Sequence, residues 1–267
     1  MRIRDSILLI VSLFTASCFS SSSKEKPITL LNPETSQEVK VSKEEKAEGY
    51  YQVGISYLQI GEVPLALNYF FKALEIKDED PKIYNAIGSA FIQRDELDKA
   101  EKYIRKALKI DPKYSEAYVN LGIVYEKRGN LKKAKEYYEK ALSNPLYLTP
   151  EVAYYRLALL SEKEGKLEEA KKYLIKALRN NSDYVPAYLE LASILEKEKR
   201  ENEAKEIYVR LITLYPRLQL PYYKLALIYL KEGKKKIAKK YLKKCVELDS
   251  ASSVGIKAKI LLEEFYE

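Results

Sequence analysis

The chain has 267 residues, 46% hydrophobic and 32% charged, a composition that builds one large domain or two small ones and does not stay disordered. Lys and Arg outnumber Asp and Glu by 47 to 39, a net charge of +8 that falls short of a nucleic-acid-binding field. Histidine is absent and cysteine occurs only at Cys18 and Cys245, which excludes His-based triads, His zinc sites, a disulfide framework and an all-cysteine metal centre within one chain; no cofactor and no small-molecule substrate is expected.

Residues 1–17 have the layout of an export signal. Arg2 and Arg4 give a positive start, and Ile7 to Phe14 form an apolar run. Even stretched to Phe19, that run is shorter than the roughly 20 residues that span a bilayer. Thr15-Ala16-Ser17-Cys18 resembles a bacterial lipobox, in which the cysteine is acylated and becomes the first residue of the mature chain. The resemblance implies lipidation at Cys18, with each buried methylene of the acyl chains contributing about 0.8 kcal/mol to membrane anchoring. Phe19, where an aspartate would signal inner-membrane retention, implies an outer-membrane anchor facing the periplasm. An ordinary signal peptide with an incidental cysteine is the alternative. Residues 18–46 then read as anchor and tether. Ser20 to Ser23 and Lys24 to Pro27 are polar and without periodicity, and Ile28-Thr29-Leu30-Leu31 is a short apolar patch.

Everything after the tether repeats. Tyr50, Tyr84, Tyr118, Tyr154, Tyr188 and Tyr222 are spaced 34, 34, 36, 34 and 34 residues apart. Four residues after each comes a small residue (Gly54, Gly88, Gly122, Ala158, Ala192, Ala226), and sixteen after each an alanine (Ala66, Ala100, Ala134, Ala170, Ala204, Ala238). Gly61, Gly129, Gly165 and Gly233 recur at one turn position. The two remaining glycines, Gly49 and Gly255, are isolated and make no phosphate cradle. Few glycines and abundant Lys, Glu, Leu and Ala favour helix. The period predicts helix A, a turn and helix B over 47–80, 81–114, 115–148, 151–184, 185–218 and 219–250. The small residue of helix A and the alanine of helix B permit close approach. Val53/Tyr57, Ile87/Phe91 and Leu121/Tyr125 are expected in the core. Ser42-Lys43-Glu44-Glu45 reads as a capping box that opens the first helix. Asp111-Pro112 and Tyr215-Pro216 end a helix B. Residues 251–267 are expected to form a capping helix, with Val254, Ala258, Leu261 and Phe265 on one stripe.

This pattern resembles the tetratricopeptide repeat. The resemblance implies an all-α, right-handed superhelical solenoid of six repeats, with helices A lining a concave face. It places Tyr51, Ile55, Leu58, Asn85, Ser89, Ile92, Val119, Ile123, Tyr155, Leu159, Tyr223 and Leu227 in a groove for a partner helix or peptide. The same register includes Glu126, Glu162, Leu189, Ser193, Glu196 and Leu230. Repeats 1 and 6 present no charge at these positions. Coverage of the groove by Ile28–Leu31 or a neighbouring element is the alternative. The Lys and Asn pattern with which some members of the family clamp a C-terminal carboxylate is not evident.

Register breaks once. Two extra residues separate repeats 3 and 4, in the string Ala141-Leu142-Ser143-Asn144-Pro145-Leu146-Tyr147-Leu148-Thr149-Pro150. It reads as a tolerated insertion or a local kink. In a six-repeat lipoprotein it also resembles the type IV pilus biogenesis and stability lipoproteins, the pilotins of the pilus secretin. That resemblance implies a non-enzymatic outer-membrane protein that binds secretin subunits and promotes their targeting and multimerisation. A general periplasmic adaptor that scaffolds envelope or peptidoglycan enzymes is the alternative. An enzyme would need converging titratable groups at motif spacing, which the sequence does not offer. Nucleic-acid binding does not fit an exported lipoprotein. Cys245 occupies the helix B position held elsewhere by Ala73, Ala107, Ala141 and Ala177, so a small buried thiol is expected. Residues 231–244 carry eight lysines against Glu232 alone, which reads as a solvated face or as a contact with anionic lipid headgroups or peptidoglycan.

Overall fold

The computed structural model describes residues 29–31 and 38–264. The export signal, Cys18 and Phe265 lie outside the described residues. The chain opens with β1 (Thr29–Leu31) and β2 (Glu38–Lys40), antiparallel, with Thr29 opposite Lys40 and Leu31 opposite Glu38. This hairpin lies where a tether without secondary structure was expected. Its residues include β-branched Thr29 and Val39, which suit a short ladder better than a helix.

Helices follow in pairs. Helices A are α1 (Lys43–Gln59), α3 (Pro81–Gln93), α5 (Ser115–Lys127), α7 (Pro150–Lys163), α9 (Val185–Lys197) and α11 (Gln219–Lys231). Helices B are α2 (Val63–Ile76), α4 (Leu97–Ile110), α6 (Leu131–Leu142), α8 (Leu167–Asn180), α10 (Glu201–Leu214) and α12 (Lys235–Leu248). The last helix is α13 (Ser253–Glu263). Ser42 caps α1 as anticipated: its hydroxyl accepts from the Glu45 amide at 3.1 Å, and the Glu45 carboxylate accepts from the Ser42 amide at 2.8 Å. The helix therefore takes in residues 43–46, which the sequence boundary assigned to the tether.

Each A–B turn places one residue in the left-handed region. Gly61, Gly129, Gly165 and Gly233 do so with φ of 72–84°, and Asp95 and Lys199 hold the same position at φ 60°. The next amide bonds back to helix A, as in Glu62 to Tyr57 O and Asn130 to Tyr125 O, both at 2.9 Å. These six-residue closures satisfy carbonyls that the helix end leaves open.

Helices A and B pack through the small-residue column. A β-carbon built on Gly54 would lie 2.5 Å from the Phe70 ring, and one on Gly122 would overlap Tyr138. The core is one layer deep along the stack: Phe70, Ile104, Tyr138, Leu174, Tyr208 and Leu242 are all buried at one helix B position. Ile87, Leu121, Phe91 and Tyr125 are buried as expected, but Val53 is 38% exposed. The reason is positional: each helix B packs on the next helix A, and among the described residues no helix B precedes α1. At the other end α13 packs on α12 and α11, burying Ala258 against Leu242 and Cys245.

Candidate functional site

Consecutive A helices approach each other, α1 with α3 and α3 with α5, more closely than consecutive B helices do. The A side is therefore the inner face of the stack. On it, Tyr51, Ile55 and Leu58 are half-buried and lean on the first core cluster, with the Tyr51 ring 5.9 Å from that of Phe70. Burial pushes the Tyr51 hydroxyl above its ordinary range, so it stays a neutral hydrogen-bonding group. Ser89 and Ile123 continue the stripe and, with Ile92, Gln93, Asn120, Glu126, Lys127 and Arg156, line a concavity of about 510 Å³ across α3, α5 and α7.

Three predicted groove residues offer little surface. Asn85 and Ile92 are each 8% exposed because the following helix A, α5, lies against them, and Val119 is 5% exposed within the second core cluster. Asn120 is the covering residue at Asn85: its Nδ2 donates to Asn85 Oδ1 at 2.8 Å. These three form the floor, whereas Tyr51, Ile55, Leu58, Ser89 and Ile123 form the accessible wall.

From repeat 3 onward the inner face is ionic. Glu126 accepts from Tyr138 Oη at 2.9 Å, pairs with Lys163 and lies 4.0 Å from Arg156. Glu162 pairs with Lys197, and Glu196 accepts from Tyr208 Oη at 3.0 Å and pairs with Lys224 at 2.8 Å. In repeat 4 the buried partner is Leu174, so Glu162 receives no tyrosine hydroxyl. There Glu190 approaches it, and burial together with the Glu162 carboxyl pushes Glu190 up to about 7. Tyr155 and Leu159 are half-buried within this region, and Tyr155 meets Tyr184 edge-on at 5.6 Å. Tyr223 packs into the cluster that α13 closes, so repeat 6 is less open than repeat 1.

The predicted set omits Asn120, Arg156, Glu190 and Lys224. They share one register, immediately after the residue that follows the signature tyrosine. The Nε of Arg156 is buried without a hydrogen-bond partner. A larger hollow of about 880 Å³ runs along α8, between Gly165 and Arg179, and brings no second repeat into contact.

The register break proves to be local. Asn144 Oδ1 accepts from the Leu146 amide at 3.0 Å, as Asp111 does from Lys113 at 2.9 Å and Asn181 from Asp183 at 3.0 Å. Asn144 to Tyr147 is thus the ordinary B–A turn, and the added length falls at Leu148-Thr149. Tyr147 is buried, while Leu146 and Leu148 are 81% and 87% exposed. Cys245 is fully buried, and burial pushes its thiol up to about 11, so it fills core space as a neutral thiol. Among the described residues no helix is long and apolar enough to cross a membrane, and no cluster of side chains has the composition of a metal site.

Paired helices stacked through one small-residue column define a helical-repeat scaffold that exposes an inner face. Two family profiles, both described as Tetratricopeptide repeat, match residues 79–144 and residues 152–184, 185–218 and 221–252, together well over half of the chain. The chain belongs to the tetratricopeptide-repeat family. No curated protein matches it. Among solved structures it resembles that of Pseudomonas aeruginosa PilF, at 24% identity over 82% of this chain and 98% of that one, with a TM-score of 0.64. It also resembles PilW, described as a widely conserved type IV pilus biogenesis factor, at 21% identity over 79% and 97%, TM-score 0.65. The Cut9–Hcn1 hetero-tetramer of the APC/C superposes as well, at 19% identity over 83% of this chain and 43% of that one, TM-score 0.65. These likenesses are of fold.

Proposed function

We propose that this protein is a non-enzymatic, lipid-anchored pilotin, which binds secretin subunits through the inner face of repeats 1–3 and promotes their outer-membrane targeting and multimerisation. The observation that carries the binding site is the half-buried wall of Tyr51, Ile55, Leu58, Ser89 and Ile123, five side chains in one stripe without a charge among them. An amphipathic segment laid on such a wall gains from apolar burial without stripping water from a charge. The Asn144–Pro150 string, the lipobox-like Thr15 to Cys18 and the likeness to PilF and PilW support the secretin as partner.

A deletion strain tests the proposal. Its outer membranes, run unboiled on a detergent gel, should lose the high-mass secretin ring and regain it on complementation. An unchanged ring would overturn the secretin assignment. Cys18→Ala should release the exported protein into the soluble periplasmic fraction. Retention in the outer membrane would show that acylation is not the anchor.

A further inference from the structure

We propose that the outer face of α12, in the last repeat, is a second membrane contact, a surface that docks on anionic phospholipid headgroups. At 100° per residue, Lys236, Ile237, Lys240, Lys243 and Lys244 share the face of α12 opposite buried Ala238, Leu242 and Cys245. All five are exposed. At the same positions the preceding helices B mix acids with their cations: Asp98 in α4, Glu136 and Glu139 in α6, Glu168 and Glu169 in α8, Glu203 and Glu206 in α10. On this face Lys244 meets Glu247 at 3.3 Å, but Lys236, Lys240 and Lys243 form no ion pair among the described residues.

The same face supplies its apolar part in Ile237, 41% exposed among these lysines. Unpaired cations beside an exposed aliphatic side chain suit a headgroup interface. The charges gain from the surface potential, the lysine stems bury alongside Ile237, and Ile237 enters the acyl boundary. The cations are all lysine, compact charges on flexible stems that suit a fluid array of headgroups. Arginine would suit the fixed, forked recognition of a folded acidic protein better. This inference is independent of the secretin reading.

The test uses the full chain carrying Cys18→Ala, so that no acyl chain anchors it. Co-sedimentation is measured with vesicles of phosphatidylcholine alone and of equimolar phosphatidylcholine and phosphatidylglycerol. Arg2 and Arg4 also favour the anionic vesicles, so the α12 surface is read from what its own variants lose. Binding should favour the anionic vesicles and collapse at high salt. Each lysine near such a surface strengthens binding about fivefold, so replacing Lys236, Lys240 and Lys243 together with glutamine should weaken it about a hundredfold. Ile237→Ser should cost at least about threefold, with an unchanged circular dichroism spectrum. Equal binding to the two vesicle types, or an unchanged triple variant, would overturn the proposal. So would capture of polyglutamate without any preference for anionic vesicles, which would assign the surface to an acidic protein.

Discussion

Repeats 1–3 and repeats 4–6 are built on one backbone plan yet present different chemistry on the inner face. The first half offers Tyr51, Ile55, Leu58, Ser89 and Ile123, joined underneath by the Asn85–Asn120 hydrogen bond. The second half carries Glu162, Glu190 and Glu196 among Lys197 and Lys224, with Glu126 and Arg156 at the junction. A partner meeting the first half displaces water from apolar surface. A partner meeting the second half must compete with ion pairs that already satisfy each other, and such competition brings little net affinity. The halves also differ inside: helix A carries Gly54, Gly88 and Gly122 at its close approach to helix B in the first, and Ala158, Ala192 and Ala226 in the second. Side-chain identity at two or three positions per repeat therefore divides a uniform scaffold into an adhesive half and a self-satisfied half.

The largest expected effect lies on the adhesive wall. Ile55→Asp with Leu58→Asp should weaken partner binding by at least about 30-fold, the cost of losing one hot spot of roughly 2 kcal/mol, while helicity is unchanged. Calorimetric titration against a purified secretin segment reads this directly. The matched pair Tyr155→Asp and Leu159→Asp, in the ionic half, should cost far less, and equal losses would erase the distinction.

Next comes the interior. Gly122→Ala drives a methyl into the Tyr138 ring and should destabilise by about 1–3 kcal/mol. The reverse change, Ala158→Gly, should cost only about 0.5–1 kcal/mol, through added freedom of the unfolded chain. Urea midpoints of the two variants compare the halves.

Acidity sharpens the comparison in the ionic half alone. Glu190 holds its proton more tightly when folded, near 7, than at its ordinary value of 4.5. Between these values the native state binds more protons than the unfolded state, so stability falls as pH rises through the interval and is relieved as pH falls. Glu190→Gln should flatten this slope in denaturation curves taken at successive pH values. A slope identical to the wild type would remove Glu190 as its source.

The smallest effect concerns cations over tyrosine rings. Lys140 Nζ sits 4.7 Å from the Tyr118 ring centroid, and Lys176 Nζ sits 5.6 Å from that of Tyr154. Removing Lys140 should cost about 0.5–1 kcal/mol, and removing Lys176 less. Double-mutant cycles with the tyrosine changed to leucine isolate each term.

Much of this was legible in the amino-acid order. The 34-residue tyrosine spacing fixed where each helix A lies, the capping box at Ser42 fixed where the first one begins, and the alanine register predicted a buried Cys245. A second periodicity, unread in the sequence, sits in the same helices: Tyr69, Tyr103, Tyr137, Tyr173 and Tyr241 lie against the signature tyrosines or their helix A neighbours, and Lys72, Lys106, Lys140, Lys176 and Arg210 lie over signature rings. Its regular spacing was the available signal. For the groove, periodicity identified the inward-facing positions but not how far each one emerges.

The sequence by itself determined the repeat, its helices, its turns and its buried column, because these depend on neighbours three to sixteen residues away in a pattern renewed at each period. Only the tertiary structure decided which groove residues are wall and which are floor. Asn85 and Ile92 are covered by the next helix A, which lies more than twenty residues further along the chain, and Val119 is drawn into the second core cluster. It also decided that Val53 is exposed, since among the described residues no helix B precedes α1, and that Glu162 faces Glu190 where neighbouring repeats supply a tyrosine hydroxyl. Charge pairing across repeats joins side chains about thirty residues apart, as in Glu126 with Lys163 and Glu162 with Lys197. That pairing exists only once the superhelix has stacked.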